Sequence, residues 1–342
     1  MSLASAALVA SIALTLGTLA VVGTLMGNSG SSDQFAAGQT APTEESPISE
    51  LPAGATDGIV RIAVSHGTTE TVAGIMVLAD GHIITSADAL VDAEQVLVTT
   101  SDGAVYTAVI VGVDPGTDIG VLDIEGEAHR TIPLADIADL AESGMTLLVE
   151  HNGSDQAMAV TAGNIDNIAA PLELPDGRTM HGMISSTLGR VPQSGASVLC
   201  SSNGSVAGLV TNRNRSDRTV YATPIAYALH IARDIIVTGT ARHAWIGVLG
   251  VDRDASENDG SLSGTVVTEV AAGGPAEQAG LRSQDVIVEV MGRPIDSASS
   301  LVVAVRDFDP GDLASVVYLR DGITQNAVIT LGDRPADVDA PR

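Results

Sequence analysis

The sequence predicts a mainly β protein with two folded domains behind an apolar N-terminal helix. The chain has 342 residues, of which 45% are hydrophobic, so two domains can each have a core. From residue 57 onward, short apolar runs alternate with Gly, Asp and Asn turns, a pattern typical of strands and hairpins. Aromatic residues make up only 2% of the chain, so aliphatic side chains must fill both cores.

Residues 3–26 are an unbroken stretch of 24 uncharged residues and predict a transmembrane helix. As a helix, this stretch would be about 36 Å long, enough to cross a hydrocarbon core of about 30 Å. A cleaved signal peptide is the alternative, but such peptides begin with basic residues, and the first one here is Arg61. We therefore expect a single-pass anchor over residues 1–26 in the cell membrane, with the folded domains extracytoplasmic.

Residues 27–56 are rich in Gly, Ser, Pro, Thr and Glu and predict a flexible linker. The first folded domain follows over residues 57–238, and its strand spacing favours an all-β barrel or sandwich. A helical spacing at residues 224–237 predicts a helix that closes this domain. The predicted strands are residues 58–65, 72–78, 82–85, 95–100, 105–113, 145–150, 158–163, 197–201, 205–211 and 219–222.

Two segments of this domain resemble the trypsin-like peptidases of the HtrA/DegP family. Residues 191–199, VPQSGASVL, resemble the nucleophile loop that the family writes Pro-Gly-Asn-Ser-Gly-Gly-Pro, which makes Ser194 the equivalent of the nucleophile. Residues 114–122, DPGTDIGVL, resemble the segment that carries the triad aspartate, here Asp118. The resemblance implies a trypsin-like double β-barrel and, since such proteins commonly trimerise, a homotrimer.

A third segment lacks the histidine that the family requires. Residues 80–91, DGHIITSADALV, resemble the family segment Asp-Gly-Tyr-Ile-Val-Thr-Asn-x-His-Val-Val, and the histidine position is Asp88. A serine hydroxyl becomes nucleophilic when a base takes its proton, and aspartate, with a pKa of about 3.9 against about 6.5, is a much weaker base. Loss of a triad histidine costs about 10⁶ in turnover. The resemblance therefore implies a triad in which Ser194 and Asp118 remain but the base is gone.

The oxyanion hole has a second defect. In the family, the glycine two residues before the serine donates its N–H to the oxyanion, together with the serine itself. Here those positions are Pro192 and Ser194, and proline has no N–H to donate. Losing one such donor costs about 10²–10³ in rate.

Two histidines were considered as replacement bases. His82 lies six residues before Asp88, an offset of about 20 Å along one strand, which excludes direct contact. His151 is interpreted as a surface loop residue. Three arginines of one loop are interpreted as a solvated hairpin tip: Arg213, Arg215 and Arg218.

Residues 239–335 resemble the PDZ domain that follows HtrA peptidases. The resemblance implies that backbone N–H groups of one loop, at Ile246, Gly247 and Val248, bind the free carboxylate of a protein or peptide C-terminus. It also implies a groove beside a helix at residues 297–306. Two groove side chains are predicted on that helix: Leu301 and Val305. The matching segments are WIGV at 245–248, GPAEQAGL at 274–281, DVIVEVMG at 285–292, PGD at 310–312 and LRDG at 319–322.

Composition excludes several other classes of function. The 16 basic residues are all arginine and stand against 42 acids, a net charge of −26, which disfavours nucleic-acid binding. The lone Cys200 follows an apolar run and is expected to be a buried, inert thiol. No histidine spacing indicates a metal site, and no cofactor is expected. Residues 252–260 are interpreted as an exposed loop, and residues 336–342 as a disordered tail.

The sequence therefore predicts a pseudoprotease that binds peptides or misfolded protein through its PDZ domain, as a sensor, adaptor or assembly subunit. The alternative is an active serine endopeptidase of envelope quality control, in which Ser194 uses a non-standard base. A third hypothesis is a structural scaffold in which neither domain binds peptide.

Overall fold

The computed structural model of the protein describes residues 54–136, 140, 144–151, 158–191, 196–253 and 263–335. The predicted anchor, nearly all of the linker and the tail after residue 335 lie outside these residues. Within the described ranges, no helix has both the length and the apolar character needed to cross a membrane.

The first half of the N-terminal domain is a seven-stranded antiparallel sheet. Its strand order is β5-β4-β1-β2-β3-β7-β6, so the two end strands, β5 and β6, are neighbours in the chain. Alternate residues of β1 are buried in the core, as its apolar pattern predicts. The strands are β1 (Ile59–Ser65), β2 (Thr69–Met76), β3 (His82–Thr85), β4 (Gln95–Thr99), β5 (Val105–Thr107), β6 (Val109–Asp114) and β7 (Ile119–Asp123).

The second half of this domain is a closed six-stranded barrel with the order β10-β13-β12-β11-β8-β9. The helix α1 (Ile225–Thr238) follows the last strand and ends at Gly239, whose φ of 82° gives the left-handed helix cap that glycine favours. Buried side chains of α1, such as Ile231 and Ile235, pack into the same core as the first sheet. The barrel strands are β8 (Met145–His151), β9 (Met158–Glu173), β10 (Thr179–Leu188), β11 (Ser197–Ser201), β12 (Val206–Asn214) and β13 (Thr219–Pro224).

The structure corrects the sequence analysis in three places. The single strand predicted at residues 105–113 is two strands, β5 and β6, interrupted at Ala108, whose N–H bonds to Val96 on β4 instead. Strand β9 continues ten residues beyond the predicted end at residue 163, and β10 was not predicted at all. Together β9 and β10 form a long hairpin. At its tip, the N–H of Leu174 donates to the Arg178 carbonyl and the N–H of Gly177 donates to the Leu174 carbonyl.

The C-terminal domain is a second, smaller α+β unit. Its main sheet has the order β15-β16-β17-β19-β20, and β15 is an edge strand. The helix α3 (Ala298–Arg306) lies where residues 297–306 were predicted to be helical, and Ser297 caps it with a capping box. The other elements are β14 (Ala244–Trp245), β15 (Val248–Arg253), β16 (Gly264–Val270), α2 (Pro275–Gln278), β17 (Val286–Val290), β18 (Arg293–Pro294), β19 (Leu313–Arg320), β20 (Ile323–Thr330) and β21 (Gly332–Asp333).

The two domains contact each other through α3 and the β9–β10 hairpin. Nδ1 of His181 on β10 lies 2.8 Å from Oγ of Ser299 on α3. Arg306, at the other end of α3, donates to the His181 carbonyl at 2.7 Å. The helix that flanks the expected peptide groove is therefore also the helix that docks onto the peptidase-like domain.

Candidate functional site

Asp118 occupies the position expected of the triad aspartate and keeps a dense hydrogen-bond environment. It immediately precedes β7, and its φ of 56° lies in the left-handed region, which Asp adopts more readily than most residues. Its Oδ1 accepts hydrogen bonds from Oγ of Ser86 at 2.7 Å and from the backbone N–H of Asp88 at 2.9 Å. This carboxylate is therefore held in place by neighbours that are independent of any base.

The electrostatics of Asp118 reflect burial beside a second acid. Burial raises the pKa of Asp118, and the like charge of Asp88 raises it further, against the hydrogen bonds that favour the ionised form. In an intact triad, the imidazole would supply a donor here. In this chain, residue 88 adds negative charge instead.

Asp88 begins a short 3-10 turn, Asp88–Leu90, that joins β3 to the rest of the sheet. The two residues that follow it, Ala89 and Leu90, are buried and anchor the turn, whereas Asp88 is exposed. The neighbouring acids thus differ in their surroundings, since Asp118 has a raised pKa and Asp88 is exposed.

The nucleophile equivalent Ser194 and the oxyanion position Pro192 lie outside the described residues. The chain is described again from Ala196, whose carbonyl accepts a hydrogen bond from the N–H of Ala73 on β2 at 2.9 Å. The start of β11 is thereby fixed against the first sheet. Ala196, the first described residue after this gap, therefore lies where the two halves of the domain meet.

Neither histidine considered above is arranged as expected of a triad base. His82 pairs with Asp123, at the end of β7 opposite to Asp118, and its Nδ1 lies 2.8 Å from Oδ1 of Asp80. The interpretation of His151 as a surface loop residue was wrong, because it ends strand β8 and is only 5% exposed. Burial, followed by the charge of Arg61, lowers the pKa of His151 to about 4, so the ring is neutral near pH 7.

His151 nevertheless ends a strand, β8, that pairs with β11. Val149 pairs with Val198 in the antiparallel β8–β11 ladder. Continuing this register by two residues places His151 opposite Ala196. Sequence reasoning did not identify His151 as a buried strand residue. The apolar run of β8 continues into Glu150 and His151, two residue types that are usually exposed.

The arginine loop also differs from its interpretation. Arg215 and Arg218 are exposed, as expected of a hairpin tip, but Arg213 folds back and donates to Oγ of the buried Ser197 at 3.1 Å. The buried Glu150 lies 3.5 Å from Arg190, and its charge also acts on Arg213. These charged side chains form a polar cluster beneath the start of β11.

The C-terminal domain brings most of its predicted site residues together. Gly247 has a φ of 86°, and its carbonyl accepts from the N–H of Ala271, so the loop between β14 and β15 turns sharply. The Ile246 carbonyl accepts from the N–H of Ala276 at the start of α2. Val248 begins the edge strand β15. The carbonyls of Ile246 and Gly247 thus both accept hydrogen bonds from other residues of the domain.

The groove residues predicted on α3 are members of the domain core. Leu301 is 5% exposed and Val305 is 4% exposed, and both share one buried cluster with Ile246. The loop and the helix face are therefore adjacent. The capping box at Ser297, in which Ser297 and Ser300 bond each other's backbone, fixes where this helix begins.

Comparisons with known proteins assign both domains. Residues 72–209 match the model of the trypsin-like peptidase domain, and residues 247–331 match the PDZ domain. A relative described as "Probable periplasmic serine endoprotease DegP-like" from Ectopseudomonas mendocina is 28% identical over 273 residues, covering 77% of this chain and 56% of the relative. A protein of the same description from Pseudomonas putida is 29% identical over the same shares of both chains. The chain thus spans about half the length of the curated relatives it matches.

Solved structures share the fold. The HtrA-type protease AlgW with a tripeptide superposes with a TM-score of 0.67 at 24% identity, covering 83% of this chain and 97% of that one. The serine endoprotease from Yersinia pestis superposes with a TM-score of 0.55 at 23% identity, covering 86% and 100%. The chain is thus HtrA/DegP-like, with a trypsin-like peptidase domain followed by a PDZ domain.

Proposed function

We propose that this protein is a membrane-anchored, extracytoplasmic pseudoprotease that binds the free C-termini of peptides or misfolded proteins through its PDZ domain. Residues 3–26 would be the anchor, and relatives described as periplasmic are consistent with domains outside the cytoplasm. The predicted homotrimer is part of this proposal. Its central claim is that binding has been kept where catalysis has been lost.

The observation that carries the proposal is a pair of backbone donors in the loop before β15. Neither the N–H of Ile246 nor that of Gly247 donates to a carbonyl of the described residues, although the carbonyls of both accept hydrogen bonds. Adjacent N–H groups without such a carbonyl partner, next to an open edge strand, are what a terminal carboxylate and an added peptide strand require. Side-chain substitution does not remove such donors, in contrast to a catalytic triad.

The catalytic half of the proposal depends on residues 88 and 192. The exposed Asp88 cannot replace an imidazole, because its carboxylate is a weak base and repels Asp118. Pro192 supplies no N–H to an oxyanion. These are two separate losses, and each by itself would slow acyl transfer by orders of magnitude.

Charge gives the binding site a preference. Residues 240–335 contain seven arginines against fourteen acids. Neutral or basic peptides with an apolar last residue should therefore bind better than acidic ones, and salt should reduce the difference. We expect affinities in the micromolar range, near −8 kcal/mol.

The test is a titration of the full chain with a fluorescent peptide that ends in a free carboxylate after an apolar residue. The amidated form of the same peptide is the chemical control and should bind at least tenfold more weakly, because loss of a charge-assisted hydrogen bond costs about 1.5–3 kcal/mol.

A pair of glycine variants locates the site. Gly247→Ala should weaken binding, because Gly247 has a φ of 86° and a Cβ there would lie 3.1 Å from Cδ of Pro275. Gly273→Ala is the matched control, since Gly273 also has positive φ but no atom lies near its added Cβ. Equal binding of acid and amide would instead support the structural-scaffold hypothesis.

The active-endopeptidase alternative is kept because of one observation. His151 is neutral near pH 7 and follows, by two residues, the Val149 that pairs with Val198 on β11. If casein were cleaved in a Ser194-dependent way that His151→Gln abolished, this alternative would replace the pseudoprotease proposal.

A further inference from the structure

The two domains enclose a cleft of about 620 Å³ that is separate from the PDZ carboxylate loop. One wall is formed by the turn after β6 and by the β9–β10 hairpin, and the other by α3 and the end of the PDZ domain. The side chains that matter for ligand chemistry are Arg306, Arg334, His181, Asp114, His243 and Tyr227.

The cleft contains a concentration of positive charge in a strongly acidic chain. Three of the chain's 16 basic residues line it: Arg178, Arg306 and Arg334. Arg178 is already paired with Asp176 at 2.7 Å. His181, Arg306 and Arg334 all line this cleft. Burial and then the charges of Arg334 and Arg306 lower the pKa of His181.

The two carboxylates that line the cleft are themselves engaged. Oδ2 of Asp114 lies 3.2 Å from Nε2 of His243, and its Oδ1 accepts from the N–H of Gly116 at 3.3 Å. Asp333 accepts from the backbone N–H of His243 at 3.4 Å. Both acids therefore have donors of their own apart from the arginines.

Arg306 is held in place with donor capacity remaining. Its Nη1 donates to the carbonyls of His181 at 2.7 Å and Gly182 at 3.3 Å, and its guanidinium lies 4.5 Å from the centre of the Tyr227 ring. Its Nε is buried and has no hydrogen-bond partner among the described residues, and Asp307 is 3.8 Å away. Arg306 lines the cleft, and a guanidinium has five N–H donors, more than the two carbonyls bonded here, so it can donate to an anion in the cleft as well.

We propose that this cleft binds a small organic carboxylate with an apolar body, held by Arg306 and Arg334. The planar guanidinium fork suits a carboxylate, and apolar side chains line the same cleft: Leu174, Met180, Met183, Tyr227 and Val302. A bare inorganic anion would leave that apolar lining unused. Because Met180 and His181 belong to the hairpin and Arg306 to the PDZ domain, the ligand would contact both domains.

Isothermal titration of the full chain tests this with hexanoate as the probe and hexanamide as its uncharged match. Hexanoate should bind at least about tenfold more tightly than hexanamide and than inorganic phosphate, as expected for a charge-assisted hydrogen bond combined with apolar contact. A peptide with a free C-terminus is then added as a competitor. This competition shows whether the cleft binds small free acids only or also the C-terminal carboxylate of a peptide chain.

Two variants and two controls locate the binding. Arg334→Gln and Arg306→Lys should each weaken hexanoate binding about tenfold, and the second keeps the charge at the domain contact while it removes the fork. Arg130→Gln, at an exposed arginine paired with Asp57 on the first sheet, should have no effect. The inference is overturned if hexanoate does not bind, if hexanamide or phosphate binds equally well, or if Gly247→Ala rather than Arg334→Gln abolishes binding.

Discussion

The backbone N–H of Asp88 donates a 2.9 Å hydrogen bond to Oδ1 of Asp118, so the main chain at residue 88 is tied to the carboxylate of residue 118. Oγ of Ser86 donates a second hydrogen bond to the same oxygen at 2.7 Å. The main chain around the missing histidine is therefore held in position without the imidazole.

The first prediction is catalytic silence. The full chain should not be labelled at Ser194 by a fluorophosphonate and should not cleave casein faster than a Ser194→Ala control, because the general base and one oxyanion donor are both absent. In-gel fluorescence and a casein assay measure the two activities. Labelling of the wild-type chain that disappears in Ser194→Ala would count against the pseudoprotease proposal.

The second prediction concerns repair of the triad. An imidazole at position 88 would find Asp118 already held, so Asp88→His with Pro192→Gly should cleave casein faster than either single variant. Asp88→His alone should remain slower than the double variant by about 10²–10³, the usual cost of one missing oxyanion donor. Full turnover in the single variant would show that Pro192 does not lie in the oxyanion hole.

The third prediction is a pH dependence of stability caused by His151. Its pKa is about 4 in the folded protein against 6.5 when unfolded, so the fold favours the neutral ring. Above pH 6.5 neither state binds the proton, and stability is unaffected. Below pH 6.5 the unfolded state binds it first, so the free energy of unfolding falls, by roughly 2 kcal/mol at pH 5.

Urea unfolding of the full chain between pH 7.5 and pH 5 measures this loss. His151→Gln should reduce it, whereas His66→Gln, in the β1–β2 turn, should leave it unchanged. A wild-type pH dependence that His151→Gln does not alter would assign the loss to other groups.

The fourth prediction is that Cys200 is chemically inert in the folded protein. The thiol is buried, and burial raises its pKa to about 12, so almost no thiolate is present at neutral pH. N-ethylmaleimide should therefore leave the native chain unmodified and react with one thiol per chain in denaturant. Mass spectrometry measures both states, and fast native modification would show that the core around β11 opens.

Much of the fold could be predicted from sequence because its strands are short and apolar. Strands β1 to β4, the helix α1 and the PDZ segments follow from alternation, turn residues and helical spacing. Strand β10 was missed because polar residues and a glycine interrupt its apolar ones. Of these, His181 and Gly182 contact the PDZ domain, whereas Ser185 and Ser186 are buried in the barrel. The tip sequence Leu174-Pro175-Asp176-Gly177 is a turn signal that would have revealed the hairpin.

Residues of the candidate site could be predicted only where a sequence motif marks their position. Asp118 and Asp88 came from local sequence segments, and the structure places them side by side. His151 was misplaced because its burial depends on long-range packing against β1, which local polarity does not report. Arg213 was misplaced for the same reason, since its partner Ser197 lies on a neighbouring strand.

The contact between α3 and the β9–β10 hairpin also determines how the two domains unfold. Arg306 and Ser299 each bond to the peptidase-like domain, and Nη2 of Arg233 on α1 donates to both carboxylate oxygens of Asp309, just beyond α3. Heat that loosens one domain must therefore break bonds that also hold the other. Scanning calorimetry should show a single cooperative transition for the two domains, and Arg306→Ala should split it into two.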